Sequence, residues 1–301
     1  MDLHWDDLRV FLAVARHESL SGAGRLLRLD PATVGRRMAR LEEAMGTPLF
    51  VKSPQGYTLT VDGQRVLAHA EQAEAAVTGA AEELVGEAGR LSGQIRIGAP
   101  DGCANYVLPK VCAQIGEENP DLDIQIVALP RVFNLSKREA DMAIGVSAPS
   151  TGRLTVQKVT DYRLHLAAHR RYLRQAPPLA AREDLRAHRI IGYIPDMIFD
   201  KELDYLSELG VERVHQASNS VSVQLGLIRS EAGLGIVHDF ALPFAPRVVK
   251  VLEEEIALTR SFYLIRHADD GKVERLNRFA VALAEGVRQE VARLEGAATG
   301  A

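Results

Sequence analysis

Between residues 32 and 40 stand Thr33, Arg36, Arg37 and Arg40, side chains suited to reading a nucleic acid. Arginine's forked donors can meet both acceptors on a guanine edge or hold a phosphate, and a threonine hydroxyl can serve either partner. Other residues invite different chemistry. His238-Asp239 sets an imidazole beside a carboxylate, yet no Gly-x-Ser-x-Gly elbow supplies a nucleophile, which favours a structural or ligand-lining role. The nine histidines include no His-Glu-x-x-His pair, and Cys103 and Cys112 lack Cys-x-x-Cys spacing, so neither metal nor cofactor is expected. If both cysteines shared one helix, their spacing would put them about 13 Å apart, too far to bridge. No Walker-type loop occurs, and Gly233-x-Gly235 is a fragment of a dinucleotide fingerprint, better read as a helix-to-strand turn.

The arginine cluster depends on the helix that carries it. Asp30-Pro31 is a helix start: the carboxylate caps free N–H groups, and proline is tolerated at the first helical position. Val34, Met38, Leu41 and Met45 then step by four, three and four, one buried stripe. At about 100° per residue Arg36 falls almost opposite that stripe, Thr33 and Arg40 beside it, and Arg37 on the flank. Two shorter helices precede it. One is built on Leu8, Phe11, Leu12 and Ala15; the other is capped at Ser19 or Ser21, with Gly22 and Gly24 permitting close approach. A head that reads the major groove fits this pattern, and so does a packing module with a solvated arginine face. The next segment favours the former: Pro48 to Lys52 and Tyr57 to Thr60 read as strands around Ser53-Pro54-Gln55-Gly56, which makes a wing. Lys52 and Gln55 on that wing would follow a sugar-phosphate edge.

The whole chain of 301 residues has 47% hydrophobic and 25% charged residues and a net charge of −4, so any contact with DNA must be local. Its N-terminus lacks the basic region of a signal peptide, and no apolar run reaches the ~18 residues of a membrane span, so a cytoplasmic location without membrane partners is expected. A helix from Thr60 to about residues 86–89 carries a heptad seam of Val66, Ala70, Ala73, Val77, Ala80 and Leu84, which would pair with a second copy or lie on its own domain.

Beyond residue 94 apolar strands alternate with helical stretches, which implies an α/β fold with mainly parallel strands. Strands are expected at Gln94 to Gly98, Ile124 to Leu129, Met142 to Val146, Ile190 to Ile194 and Leu234 to Val237, and helices at Tyr106 to Glu118, Phe199 to Leu209 and Val221 to Glu231. Ligands of such folds lie beyond strand ends, which nominates Asp101, Gly102, Cys103, Arg131, Val146, Pro195, Asn219, Ser220 and His238. The helix after Asn219-Ser220 and Arg131 suit an anion, whereas Asp101 suits an amine or hydroxyl.

Residues 8 to 63 resemble the N-terminal domain of the LysR-type transcriptional regulators. The matching positions are Leu8, Phe11, Val14, Ser21, Ala23, Leu26, Val34, Arg36, Leu41-Glu42, Gly46, Leu49-Phe50, Leu59-Thr60 and Gly63. Gly93 to Gly98, Leu108-Pro109, Asp141 to Ile144 and Ala232 to Ile236 resemble that family's effector domain. The resemblance implies a winged helix-turn-helix over 1–59 and a linker helix for dimerisation over 60–90. It also implies a two-lobed, periplasmic-binding-protein-like effector domain over 91–301, lobe I being 91–161 with 267–301 and lobe II 162–266. The expected partners are double-stranded promoter DNA, an unidentified small-molecule effector, and further copies of the chain in a dimer and a tetramer, bound at the bacterial nucleoid. DNA contacts would come from Ser21, Ala32, Thr33, Arg36, Arg37, Arg40, Lys52 and Gln55. One departure matters. Where the family often has Ser-Gln this chain has Asp30-Pro31, and Gly35 replaces a common serine. The competing expectation is a cytosolic solute-binding protein or enzyme of the same two-lobed fold, its N-terminal bundle serving assembly alone.

Overall fold

The computed structural model describes residues 4–53, 56–85, 90–128, 140–149, 152–211 and 213–299. The chain divides into two compact units, one of residues 1–87, 136–138 and 269–274, the other of 88–135, 139–268 and 275–301.

In the first unit, helix α1 (Trp5–His17) buries Leu8, Phe11, Leu12 and Val14 and ends at Glu18 in a left-handed turn. Helix α2 (Leu20–Leu27) starts where the Ser19 hydroxyl accepts the Gly22 N–H at 3.2 Å. Helix α3 (Pro31–Met45) starts where Asp30 accepts the Thr33 N–H at 2.9 Å. Its expected stripe is buried at Val34, Met38 and Leu41 and half-buried at Met45. The bend between α2 and α3 is tight enough that a Cβ on Gly24 would lie 2.5 Å from the Leu29 carbonyl oxygen, so only glycine fits. Strand β1 (Phe50–Ser53) pairs antiparallel with β2 (Gly56–Leu59), and Phe50 packs inward between Phe11 and Tyr57, with ring centroids at 5.3 and 5.9 Å. Glu42 ties α3 to this wing, one carboxylate oxygen accepting the N–H groups of Leu49 and Phe50 at 2.8 and 3.2 Å.

Thr60 caps helix α4 (Val61–Val85), accepting the Gly63 N–H at 2.9 Å while its hydroxyl donates to the Pro48 carbonyl. The heptad seam divides. Val66 and Ala70 pack on the first unit's own core, whereas Val77 is exposed; the side chains of Ala80 and Leu84 lie outside the described residues.

The second unit carries the two lobes. Strands β3 (Gly93–Ala99), β4 (Leu122–Ala128) and β5 (Met142–Gly145) form the parallel part of the first, β3 lying between the other two. Strand β6 (Leu154–His169), which leads into the short helix α7 (Arg170–Gln175), then runs antiparallel to β11 (Ala257–His267), all of β11 pairing with Leu154 to His165 of β6. In the second lobe β9 (Leu234–His238) pairs with β6 and with β7 (Ile190–Gly192), β7 pairs with β8 (Gln216–Ala217), and β10 (Val248–Lys250) pairs with β6. The long β6/β11 pair thus belongs to both lobes. Its register slips between Phe262 and Tyr263, which face Thr160 and Lys158, so Val159 bulges where the strands cross from lobe to lobe. Helix α9 (Glu274–Thr299) returns to the first lobe, where Arg275 donates to the carbonyls of Ser92 and Gln94 at 3.2 and 3.0 Å.

Two expectations change. The helix expected over Tyr106 to Glu118 is α6 (Leu108–Glu118), which starts two residues later with Pro109 in its first turn, and a separate short helix, α5 (Asp101–Tyr106), precedes it because Pro109 has no N–H to continue that helix. Cys103 and Cys112 therefore sit on separate helices. The expected helix over Phe199 to Leu209 consists of short 3-10 turns, Lys201–Leu203 and Ser207–Leu209. Asp200 and Asp204 accept the N–H groups of Glu202 and Ser207, and such local bonds divert the backbone from a continuous helix.

Candidate functional site

The first unit presents a polar face on α3. The Asp30 carboxylate that caps the helix also accepts the Thr33 hydroxyl at 2.6 Å, and Thr33 Oγ1 accepts an N–H of Arg36 at 3.0 Å. These bonds hold the Asp30 carboxyl below its usual pKa. A cap, a hydroxyl and an exposed guanidinium thus form one chain along the first turns of the helix. Ala32, Ser21 and Lys52 are exposed as well, the Lys52 ammonium lying 6.0 Å from the Tyr57 ring centre. Gln55 lies outside the described residues.

Two of the expected arginines have other partners. Arg37 lies 3.6 Å from Asp6. Arg40 donates twice to Asp7, both bonds 2.6 Å, and the Asp7 side chain is only 2% exposed. Arg40 therefore fastens α3 to α1, which spacing on one helix cannot reveal.

In the second unit the structure gathers Asp101, Gly102, Cys103, Val146, Asn219 and His238 around a cleft between the lobes. Ser220 stands at its edge. Pro195 does not line this cleft; it lines a separate chamber of about 240 Å³ within the second lobe, because the chain turns away after β7. Arg131 lies outside the described residues. Sequence reasoning missed the aromatic wall of Tyr162, Tyr193, Phe199 and Phe262. Tyr162 and Phe262 lie within β6 and β11, not after a strand end, and stack at 4.2 Å across the crossing. The usable signal was two aromatics flanking the segments where the chain changes lobe.

The cleft is shut. Its free volume is about 20 Å³, room for about one water. Two carboxylates hold it closed. Asp101, at the start of α5 in the first lobe, accepts the hydroxyls of Ser220 and Ser222 at 3.0 and 2.9 Å and the Ser222 N–H at 3.0 Å. These groups belong to the N-terminus of helix α8 (Val221–Arg229) in the second lobe, capped by Ser220. The anion site expected on that helix is thus filled by the protein's own carboxylate. Across the cleft Ser147, just after β5, donates to Asp200.

Burial lowers the His238 pKa to about 4, with Asp101 and Asp239 opposing, so the ring is neutral at pH 7. Burial also raises the phenols of Tyr162, Tyr193 and Tyr205. Among the described lining residues Asp101 is then the one charged group. His238 and Asp239 form no dyad: Asp239 turns away to His165 and Lys250, each at 2.7 Å. Burial raises the Cys103 thiol and pushes that of Cys112 up to about 12, and both are free. No cluster of three or more potential ligands for a metal occurs among the described residues, nor any helix long and apolar enough to cross a membrane.

Residues 5–64 match the bacterial regulatory helix-turn-helix protein of the lysR family, and residues 88–288 match the LysR substrate binding domain. The chain is similar to the HTH-type transcriptional regulator PtxR of Pseudomonas aeruginosa, 26% identical over 64% of this chain and 61% of that one. It is 30% identical to the Mau operon transcriptional activator of Paracoccus denitrificans, over 79% of this chain and 80% of the other. The matched stretch is thus under two thirds of PtxR and about four fifths of the activator. A full-length OxyR from Pseudomonas aeruginosa has the same fold, with a TM-score of 0.69 at 16% identity over 96% of this chain and 95% of that one.

Proposed function

The chain belongs to the LysR family of bacterial transcriptional regulators, with that family's helix-turn-helix and two-lobed substrate-binding domain, and on that premise we propose that it binds double-stranded promoter DNA under the control of a small-molecule effector held between its lobes. The observation that carries the reading is the Asp30–Thr33–Arg36 chain on the exposed face of α3. A guanidinium ordered before DNA arrives loses less entropy on binding, and its place near the start of the second helix of the motif is where base edges are reached. Lys52 on the wing supplies a phosphate contact.

Effector binding acts by population shift: a ligand that favours one separation of the lobes biases the geometry of the paired heads. Pairing is assigned to α4 beyond Ala70, where Val77 is exposed, with a tetramer formed from two such pairs. The protein works in the cytoplasm, at the nucleoid when bound to DNA, and is not an enzyme. Its cofactor set is empty apart from the effector.

The test is titration of the full-length protein against its own upstream region. Affinity should fall steeply with salt, and Arg36→Ala should weaken binding by about 1–3 kcal/mol. Unchanged binding by Arg36→Ala at moderate salt would refute the recognition-helix assignment.

A further inference from the structure

We infer that the effector of this protein carries an ammonium group, which binds against Asp101 and the aromatic wall of the inter-lobe cleft. The inference rests on the reading of that cleft as the effector site and names the ligand's chemistry. Three observations point to it.

Charge comes first. Asp101 is the one charged side chain among the described lining residues, and His238 beside it is neutral. A second carboxylate, Asp200, stands across the opening on Ser147. Arg260 lies behind the wall, over the Tyr205 ring, and Glu202 at 3.1 Å opposes its charge. An anionic ligand would enter a negative site, and the α8 N-terminus that might have received it is filled by Asp101. An ammonium gains from the same field.

The wall supplies the second observation. Tyr162, Tyr193, Phe199 and Phe262 line the cleft, and the negative face of an aromatic ring attracts a cation within about 6 Å of its centre. The third is the Tyr162 hydroxyl, on a residue 1% exposed: it lies beside the Tyr205 hydroxyl but makes no hydrogen bond of ordinary geometry. A phenol oxygen can accept from N–H, so a bound ammonium would satisfy a group otherwise costly to bury.

Size completes the picture. The closed cleft has room for a head group alone. Tyr193 and Leu203 line both it and the 240 Å³ chamber, whose other walls include Ile191, Ile198 and Ile236. The ligand is therefore an ammonium on a short apolar body, and the body displaces the Tyr193–Leu203 partition.

The experiment measures binding of n-butylammonium, n-butyrate and n-butanol, equal in length and different in charge, to the full-length protein by saturation-transfer NMR and calorimetry at constant ionic strength. Butylammonium should bind at least ten-fold tighter than butyrate. Asp101→Asn should lose at least ten-fold in butylammonium affinity. Tyr162→Phe removes only that oxygen, keeps the ring packing, and should lose several-fold; it remains informative if Asp101→Asn fails to fold. Butyrate binding as well as butylammonium, no butylammonium binding at 20 mM, or full affinity in either variant overturns the inference. Val146→Trp, which plugs the cleft, separates the two readings. Butyrate binding that Val146→Trp abolishes overturns the ammonium and leaves the cleft as effector site, whereas butylammonium binding that survives the plug overturns both.

Discussion

Arg40 and Asp7 form an asymmetric pair, and the asymmetry can be measured. The Asp7 side chain is 2% exposed and that of Arg40 is 54% exposed, with two 2.6 Å bonds between them. Arg40→Ala leaves a buried carboxylate without its donors. Stranding a fully buried charge costs about 3–5 kcal/mol, and the open side of the arginine lets water reach part of the gap, so about 2.5 kcal/mol is expected. That is a factor of about 70 in the unfolding constant. Asp7→Ala strands a guanidinium that water already reaches and should cost about 1 kcal/mol, and the double variant should cost no more than Asp7→Ala alone. Trp5 makes the assay specific. It is the one tryptophan of the chain and is half-buried against the core of the first unit, so its fluorescence in a urea titration reports unfolding of that unit within the full-length protein. The slope of the transition should stay constant while the midpoint moves. Equal costs for the two single variants would refute the burial argument. Loss of DNA affinity by Arg40→Ala with an unchanged midpoint would return Arg40 to the DNA-contacting set.

Three further predictions rest on burial and close packing. A Cβ at Gly63 would lie 2.1 Å from the Leu49 carbonyl oxygen, so Gly63→Ala should push α4 off the wing and destabilise the first unit by about 1–3 kcal/mol, read from the same Trp5 transition. His238 has its folded pKa lowered to about 4 from 6.5, so its contribution is complete above pH 6.5 and is lost as pH falls toward 4; the second unit should lose about 2 kcal/mol between pH 7.5 and 5. His238→Gln should flatten that part of the profile, followed by circular dichroism in urea. The thiols of Cys103 and Cys112 are buried and held protonated, so an aromatic disulfide reagent at pH 7.4 should label neither in the folded protein and both in urea. Rapid labelling of the native protein would show that α5 and α6 open readily.

Local chemistry wrote the first unit into the sequence. Ser19 and Asp30-Pro31 cap helices through atoms within three residues, and the stripe of Val34, Met38 and Leu41 follows from helical geometry alone. The exposed place of Arg36 was legible for the same reason. Parts of the cleft were also readable, since Asp101, Val146, Asn219 and His238 lie at or just after strand ends or start helices. The aromatic wall was not. Tyr162 and Phe262 meet only because two strands a hundred residues apart run antiparallel and slip register at Val159.

Partnership depended on tertiary structure throughout. The sequence shows Arg40 on the outer side of α3, but only the packing of α3 on α1 sets it against Asp7. The sequence offers Asp101 as a ligand for an amine and the α8 N-terminus as a site for an anion, and only the closing of the lobes seats the first on the second, so that the anion site is filled by the protein's own carboxylate. Helix caps and stripes are decided by neighbours along the chain, where spacing is information. Which charge meets which across a core or a cleft is decided by how whole elements pack, and spacing carries none of it.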